Sequence, residues 1–162
     1  MIELREATIE DIPALYVLYG AMGKSDKGYF ESCFDKGFII LIASREDQDV
    51  GFTILNFSPK YALYKKLDIP EIQDLNVIPD ARQKGIATTI VNKCEEMAEA
   101  AGKSQIGISV PLNKSYGPAQ RLYIKLGYMP DGNGITYDRE PVKKNCHYAP
   151  DDDLCLMMLK DL

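Results

Sequence analysis

Short apolar or alternating runs interleaved with amphipathic helical stretches predict an α/β (α+β) fold. The expected architecture is a mixed, mostly antiparallel central sheet with a parallel β-α-β core and helices on both faces. Three observations carry this expectation. Residues 72–110 read as strand, long amphipathic helix and strand, a unit that is parallel and right-handed when its strands share a sheet. Residues 38–57 read as two strands joined by the polar turn Arg45-Glu-Asp-Gln-Asp49, an antiparallel hairpin. No repeat, low-complexity segment or linker divides the 162 residues, so one domain over 1–162 is expected.

The elements follow in order. Ile2 and Leu4 alternate with Glu3 and Arg5, a half-buried first strand. Thr8 and Asp11 form a capping box, with Asp for the usual Glu, and Ile12, Leu15, Tyr16 and Tyr19 then recur at helical spacing. Gly20, Gly23 and Gly28 punctuate a loop before a short helix at 29–35 that ends at Gly37. In the strand at 50–57, Gly51 marks a bulge or a close backbone approach. Residues 58–70 form a connection with room for a helical turn. A strand at 72–78 ends at Pro79. Ile86, Ile90, Val91, Cys94, Met97, Ala98 and Ala101 then share one helix face, and Gly102 stops it. Ile106, Ile108 and Val110 alternate in a further strand. Pro118 opens a helix carrying Ala119, Leu122, Tyr123 and Leu126, closed by Gly127. Asp131-Gly-Asn-Gly134 reads as a turn, and residues 154–159 as a last apolar strand.

Composition narrows the function. Hydrophobic residues make up 46% and charged residues 27%, ordinary for a globular domain. No apolar run reaches the roughly 18–20 residues of a membrane span, and the first residues lack a signal-peptide core, so a cytoplasmic protein without a membrane partner is expected. A net charge of −5 disfavours nucleic acid and suits a cationic partner such as an amine. The four cysteines lack C-x-x-C spacing and read as reduced thiols. Cys146 and His147 are adjacent without further clustered ligands, so no metal site is expected.

The stretch from Glu71 to Gly102 carries the chemistry. A strand, a sharp turn and a helix N-terminus make an anion site, because the first N–H groups of a helix have no internal partner and its dipole favours negative charge. A pyrophosphate needs several N–H donors converging within about 3 Å, and side chains there would block the approach. Gly85 removes a Cβ, Ala87 leaves only a methyl, and Arg82 and Lys84 add positive charge. A dinucleotide fingerprint or P-loop would need glycine spacings that are not present.

Arg82-Gln-Lys-Gly-Ile-Ala87, after Leu-x-Val-x-Pro, resembles the acetyl-CoA signature Arg/Gln-x-x-Gly-x-Gly/Ala of the GNAT acetyltransferases. Ala119-Gln-Arg-Leu-Tyr-Ile-Lys-Leu-Gly-Tyr128 resembles that family's Ala-x-x-Leu-Tyr-x-x-x-Gly-Phe/Tyr segment. The element order matches the family along essentially the whole chain. The resemblance implies the GNAT fold and an N-acetyltransferase that passes acetyl from acetyl-CoA directly to a primary amine in a ternary complex. The amine is borne by a small molecule or a protein, and a homodimer is compatible with the family. The alternative is an inert acyl-CoA-binding protein of the same fold.

The resemblance also assigns roles. Main-chain groups of Leu75, Asn76 and Val77 hold the pantetheine arm by β-augmentation. Arg82, Gln83, Lys84, Gly85, Ile86, Ala87 and Thr88 form the phosphate turn. Asn113 is the candidate for a cofactor-binding asparagine, although the family's usual spacing falls on Tyr116. Glu71 matches the position of a catalytic glutamate; it is a general base or a solvated strand-end carboxylate. Tyr123 is a general acid toward the departing thiolate or a core aromatic. Tyr61, Tyr64, Tyr128 and the segment 20–37 are candidates to line the acceptor site.

Overall fold

The computed structural model describes residues 1–162. In chain order its elements are β1 (Ile2–Glu6), α1 (Ile12–Ala21), α2 (Tyr29–Asp35), β2 (Ile39–Arg45), β3 (Gln48–Asn56), α3 (Ala62–Leu67), β4 (Glu71–Val77), α4 (Ile86–Ala100), β5 (Gln105–Pro111), α5 (Gly117–Lys125), β6 (Met129–Tyr137), β7 (Glu140–Pro141) and β8 (Leu154–Asp161). The architecture is mixed α/β with mostly antiparallel strand pairing, as the sequence predicts. No helix is long and apolar enough to cross a membrane. The chain divides into two compact units, Met1–Asn56 with Ile72–Glu96, and Phe57–Glu71 with Met97–Leu162.

In the first unit the strands run in the order β1-β2-β3-β4. Thr8 N donates to Asp11 Oδ2 at 2.7 Å, the predicted capping interaction. It opens a single 3-10 turn, from which α1 continues. The predicted turn between β2 and β3 tightens to Glu46 and Asp47, both left-handed at φ 53° and 59°. Two such residues match the twist of a hairpin. Ile40 and Ile42 pack with Leu15, Leu18, Tyr19, Phe30 and Phe52 in one core. Leu41 and Ala43, which alternate to the opposite face, are equally buried, so β2 is covered on both sides. A Cβ built on Gly51 would lie 2.7 Å from the Asn76 carbonyl oxygen. The glycine therefore lets β3 and β4 approach, and the register of β2 and β3 slips beside it. Along α4 the predicted face is buried at Ile86, Ile90, Val91, Cys94 and Ala98, while Met97 is half-buried and Ala101 lies exposed past the helix end.

In the second unit the order is β5-β8-β6-β7, every pair antiparallel. Asp131-Gly-Asn-Gly134 corrects the sequence reading. It lies inside β6 as a wide bulge, where pairing with β8 jumps from Pro130 to Ile135. The turn chemistry is present, with Asp131 Oδ1 accepting from Asn133 N at 2.9 Å and Gly132 and Gly134 at positive φ. A bulge uses the same local conformations as a turn, so local signals do not separate the two. Tyr61, Tyr64, Ile69, Cys155 and Met157 form the core of this unit. The Tyr64 ring occupies the space beside Gly107, where a Cβ would come within 2.4 Å of it, and its hydroxyl donates to the Met158 carbonyl.

Gly107→Ala is therefore expected to destabilise the protein by about 1–3 kcal/mol, read as a lower urea midpoint. Burial, then the charge of Glu71, push the Tyr64 phenol above its ordinary value. The unfolded phenol ionises first, so this contribution is complete below about pH 10 and is lost as pH rises beyond it. Urea titrations between about pH 8 and pH 11 are expected to show falling stability, with a shallower fall in Tyr64→Phe.

Candidate functional site

In the first unit β4 ends at Val77, and Pro79–Ala81 make one 3-10 turn before α4 begins at Ile86. Proline fixes φ and lacks a ladder donor, which stops the strand. Between the two elements Gln83 (φ 60°) and Gly85 (φ 80°) are both left-handed. Left-handed residues let successive backbone N–H groups converge on one side, the concave arrangement that binds anions. The first turn of α4 adds its unpaired donors and the positive end of its dipole. Gly85 is required for its φ, since a Cβ there would meet no heavy atom within 4 Å.

The basic side chains brace this turn. Arg82 Nε donates to the Val77 carbonyl and Lys84 Nζ to the Asp80 carbonyl, each at 2.9 Å. Arg82, Gln83, Lys84 and Gly85 are exposed, Ile86 is buried, and Ala87 and Thr88 are half-buried. Thr89 closes the corner through Oγ1 to the Gly85 carbonyl, 3.0 Å.

Upstream, Leu75, Asn76 and Val77 are half-buried in β4. Asp74 precedes them with φ 49°, a left-handed residue inside a strand. Its carboxylate accepts from Lys24 Nζ at 2.7 Å, from the Tyr29 hydroxyl at 2.8 Å and from Asn76 Nδ2. Three partners compensate its desolvation and hold the strand's distortion in place. Nothing in the local sequence marks Asp74 for this.

In the second unit Glu71, the first residue of β4, is 0% exposed. This corrects one of the two sequence readings: it is not a solvated carboxylate. Arg139 Nη2 donates to Glu71 Oε1 at 3.2 Å and to Ser109 Oγ at 3.1 Å, and Arg139 Nε reaches Oε1 at 3.4 Å. Arg139 belongs to the two-residue turn between β6 and β7, where Asp138 (φ 47°) and Arg139 (φ 65°) are both left-handed. Burial pulls the guanidinium toward neutrality, and the charge and hydrogen bond of Glu71, together with Cys155 and Asp138, outweigh it in sum and leave it raised. Neither Arg139 nor Ser109 stands in a sequence motif; only the hairpin that brings them in identifies them.

Tyr123 is 5% exposed on α5, tilted against Tyr128 with ring centroids 6.3 Å apart. Burial raises its phenol, which keeps it protonated across the physiological range. Asn113 caps the turn before α5, its Oδ1 accepting from Ser115 N at 3.1 Å and from the Ser115 hydroxyl. Three residues expected to line an acceptor site are core instead. Tyr61 is buried with its hydroxyl on Asp131, Tyr64 lies against Gly107, and Tyr128 carries Lys160 Nζ 5.7 Å above its ring. The four cysteines are free, and burial pushes Cys33 up to about 11, Cys94 to about 12 and Cys155 to about 11.

The fourth strand thus turns through a left-handed glycine into a long helix, the arrangement that the sequence's resemblance implies. Residues 36–130 match the model of the acetyltransferase (GNAT) domain, more than half of the chain, and the chain belongs to that family. The aminoalkylphosphonate N-acetyltransferase of Salmonella typhimurium is 29% identical over 133 residues, covering 78% of this chain and 84% of that protein. The ribosomal-protein-alanine N-acetyltransferase of Brucella melitensis superposes with TM-score 0.69 at 20% identity, over 99% of each chain. A GNAT acetyltransferase of Elizabethkingia anophelis with acetyl-CoA bound superposes with TM-score 0.70 at 15% identity, over 99% of this chain and 98% of that one. These likenesses to solved structures establish the fold.

Gly85→Val is expected to abolish CoA binding in a protein that still folds, at a cost of about 1–3 kcal/mol for a β-branched residue at positive φ. Calorimetric titration with CoA checks the first, and thermal unfolding the second. Micromolar affinity in the folded variant would overturn the assignment of this turn.

Proposed function

We propose that this chain is an N-acetyltransferase, acting as one domain, that transfers acetyl from acetyl-CoA to a primary amine in a ternary complex. The observation that carries the reading is the turn at Gln83 and Gly85 between β4 and α4, in a chain of the GNAT family. In this reading the backbone donors from Arg82 to Thr88 hold the pyrophosphate, and residues 75–77 offer main-chain groups to the pantetheine arm. The Gly51 contact fits this, since it fixes the course of the β4 backbone at Asn76.

The amine nitrogen attacks the thioester carbonyl; the C–N bond forms, the C–S bond breaks, and the nitrogen gives up a proton. An alkylammonium of pKa ~10.4 costs roughly 4.6 kcal/mol to neutralise at pH 7, so a proton acceptor is valuable. Glu71 is the proposed acceptor, directly or through water. Tyr123 is the proposed donor to the leaving sulfur. A buried phenol is a weaker acid than a thiol of pKa ~8.5, so its part is a hydrogen bond to the developing thiolate rather than full proton transfer. The raised thiols of Cys33, Cys94 and Cys155 favour direct transfer over an acyl-cysteine, because the thiolate is the nucleophile.

One observation favours the second reading, an acyl-CoA-binding protein without turnover: Glu71 Oε1 is already engaged by the Arg139 guanidinium. Thiol release separates the two. Glu71→Gln is expected to lower kcat/KM by about 10²–10⁴-fold and Tyr123→Phe by about a hundredfold or less, with CoA affinity retained. Tight CoA binding without release against any amine would leave the binding protein standing. The named substrate of the Salmonella relative makes an aminoalkylphosphonate a first acceptor to try, and the acidic composition makes a polyamine a second.

A further inference from the structure

We infer that Arg139 is a positioning residue for Glu71, setting the orientation and charge of the carboxylate that takes the acceptor's proton; the inference rests on the proposed role of Glu71. Glu71 has no exposure to water, so its carboxylate has given up its hydration. A compensating charge must therefore be built in. Arg139 is a positive group in direct contact with the carboxylate. Burial raises Tyr64 and Cys155, which keeps both neutral, and Asp138 and Asp153 add negative charge beside Arg139.

The geometry is that of an oriented clamp. Arg139 Nη2 bridges Glu71 Oε1 and Ser109 Oγ, while Nε holds the same Oε1, so β5 and the turn between β6 and β7 fix one oxygen together. The backbone carries the same message. The second position of a tight hairpin turn favours glycine or asparagine, yet an arginine stands there at φ 65°. The turn thereby carries the guanidinium to the carboxylate at the cost of a left-handed arginine. A purely structural staple between β4 and the hairpin would show the same contacts, so the test must read something that a staple would not move.

That readout is the acid limb of the kcat/KM–pH profile for acetyl transfer to the best amine found. It is measured on the full chain together with CoA affinity and thermal midpoint. Arg139→Met is expected to move the acid limb to higher pH, with a loss of about tenfold or more at pH 6 that shrinks toward pH 8. CoA affinity is expected to stay within about twofold, and Arg139→Lys, which keeps the charge but loses the fork, to restore the limb only in part. A lower thermal midpoint with an unmoved limb would overturn the inference. If Arg139→Met does not fold, the double variant Glu71→Gln with Arg139→Met removes both charges and serves instead. Its residual rate is expected to equal that of Glu71→Gln alone within about twofold. A further tenfold loss would show Arg139 acting apart from Glu71, and would overturn the inference. Full turnover in Glu71→Gln would sink the base assignment itself, whereas an inactive Glu71→Gln beside an unmoved limb in Arg139→Met would sink only the clamp.

Discussion

An ion pair removed from water has little to spare: the cost of stripping hydration from two charges is comparable to what their attraction returns. The pair of Glu71 and Arg139 lies in this regime, the carboxylate wholly buried and the guanidinium 20% exposed. Its consequence is order more than stability. Only the hairpin of β6 and β7 closed through Asp138 and Arg139 delivers the guanidinium to Oε1, so a register slip in that hairpin would strand a buried charge. The second unit thus has its strand pairing and the placement of its buried carboxylate tied to one contact.

The first unit applies a different principle, with backbone conformation in place of charge. Asp74, Gln83 and Gly85 each leave the ordinary regions within one short stretch. The first is held by Lys24, Tyr29 and Asn76, while Arg82 and Lys84 brace the turn through the Val77 and Asp80 carbonyls. The donors of an anion site must not collapse onto the protein's own acceptors. Basic side chains that grip the base of the turn keep it open in shape while leaving positive charge nearby.

Much of this was legible in the sequence. Elements with strong period, such as α4 and β5, and stops set by Pro79, Gly37 and Gly102 follow from local chemistry that the tertiary structure does not override. Asp131 and its glycines make the same local bonds in a turn and in the bulge of β6, so the local sequence does not distinguish the two. The sharp turn between β4 and α4 was legible since the left-handed position at Gly85 is a local requirement. Arg139, Ser109 and Asp74 were not, because their roles arise from partners 30 to 68 residues away in the chain. Likewise an unpaired reading of Glu71 as solvated was natural for a charged residue beside Pro70, and only the fold reveals its partner.

Tyr64 and Gly107 leave one last mark on the chain. The ring and the missing side chain share a single volume, and the hydroxyl is anchored on the Met158 carbonyl. Neither position has room to drift alone, so each constrains the substitutions open to the other. Among descendants of this sequence the two should therefore change in concert, a smaller residue at 64 opening the way to a side chain at 107. Variation at such a couple records shared space, and it would be invisible to any survey that weighs positions one at a time.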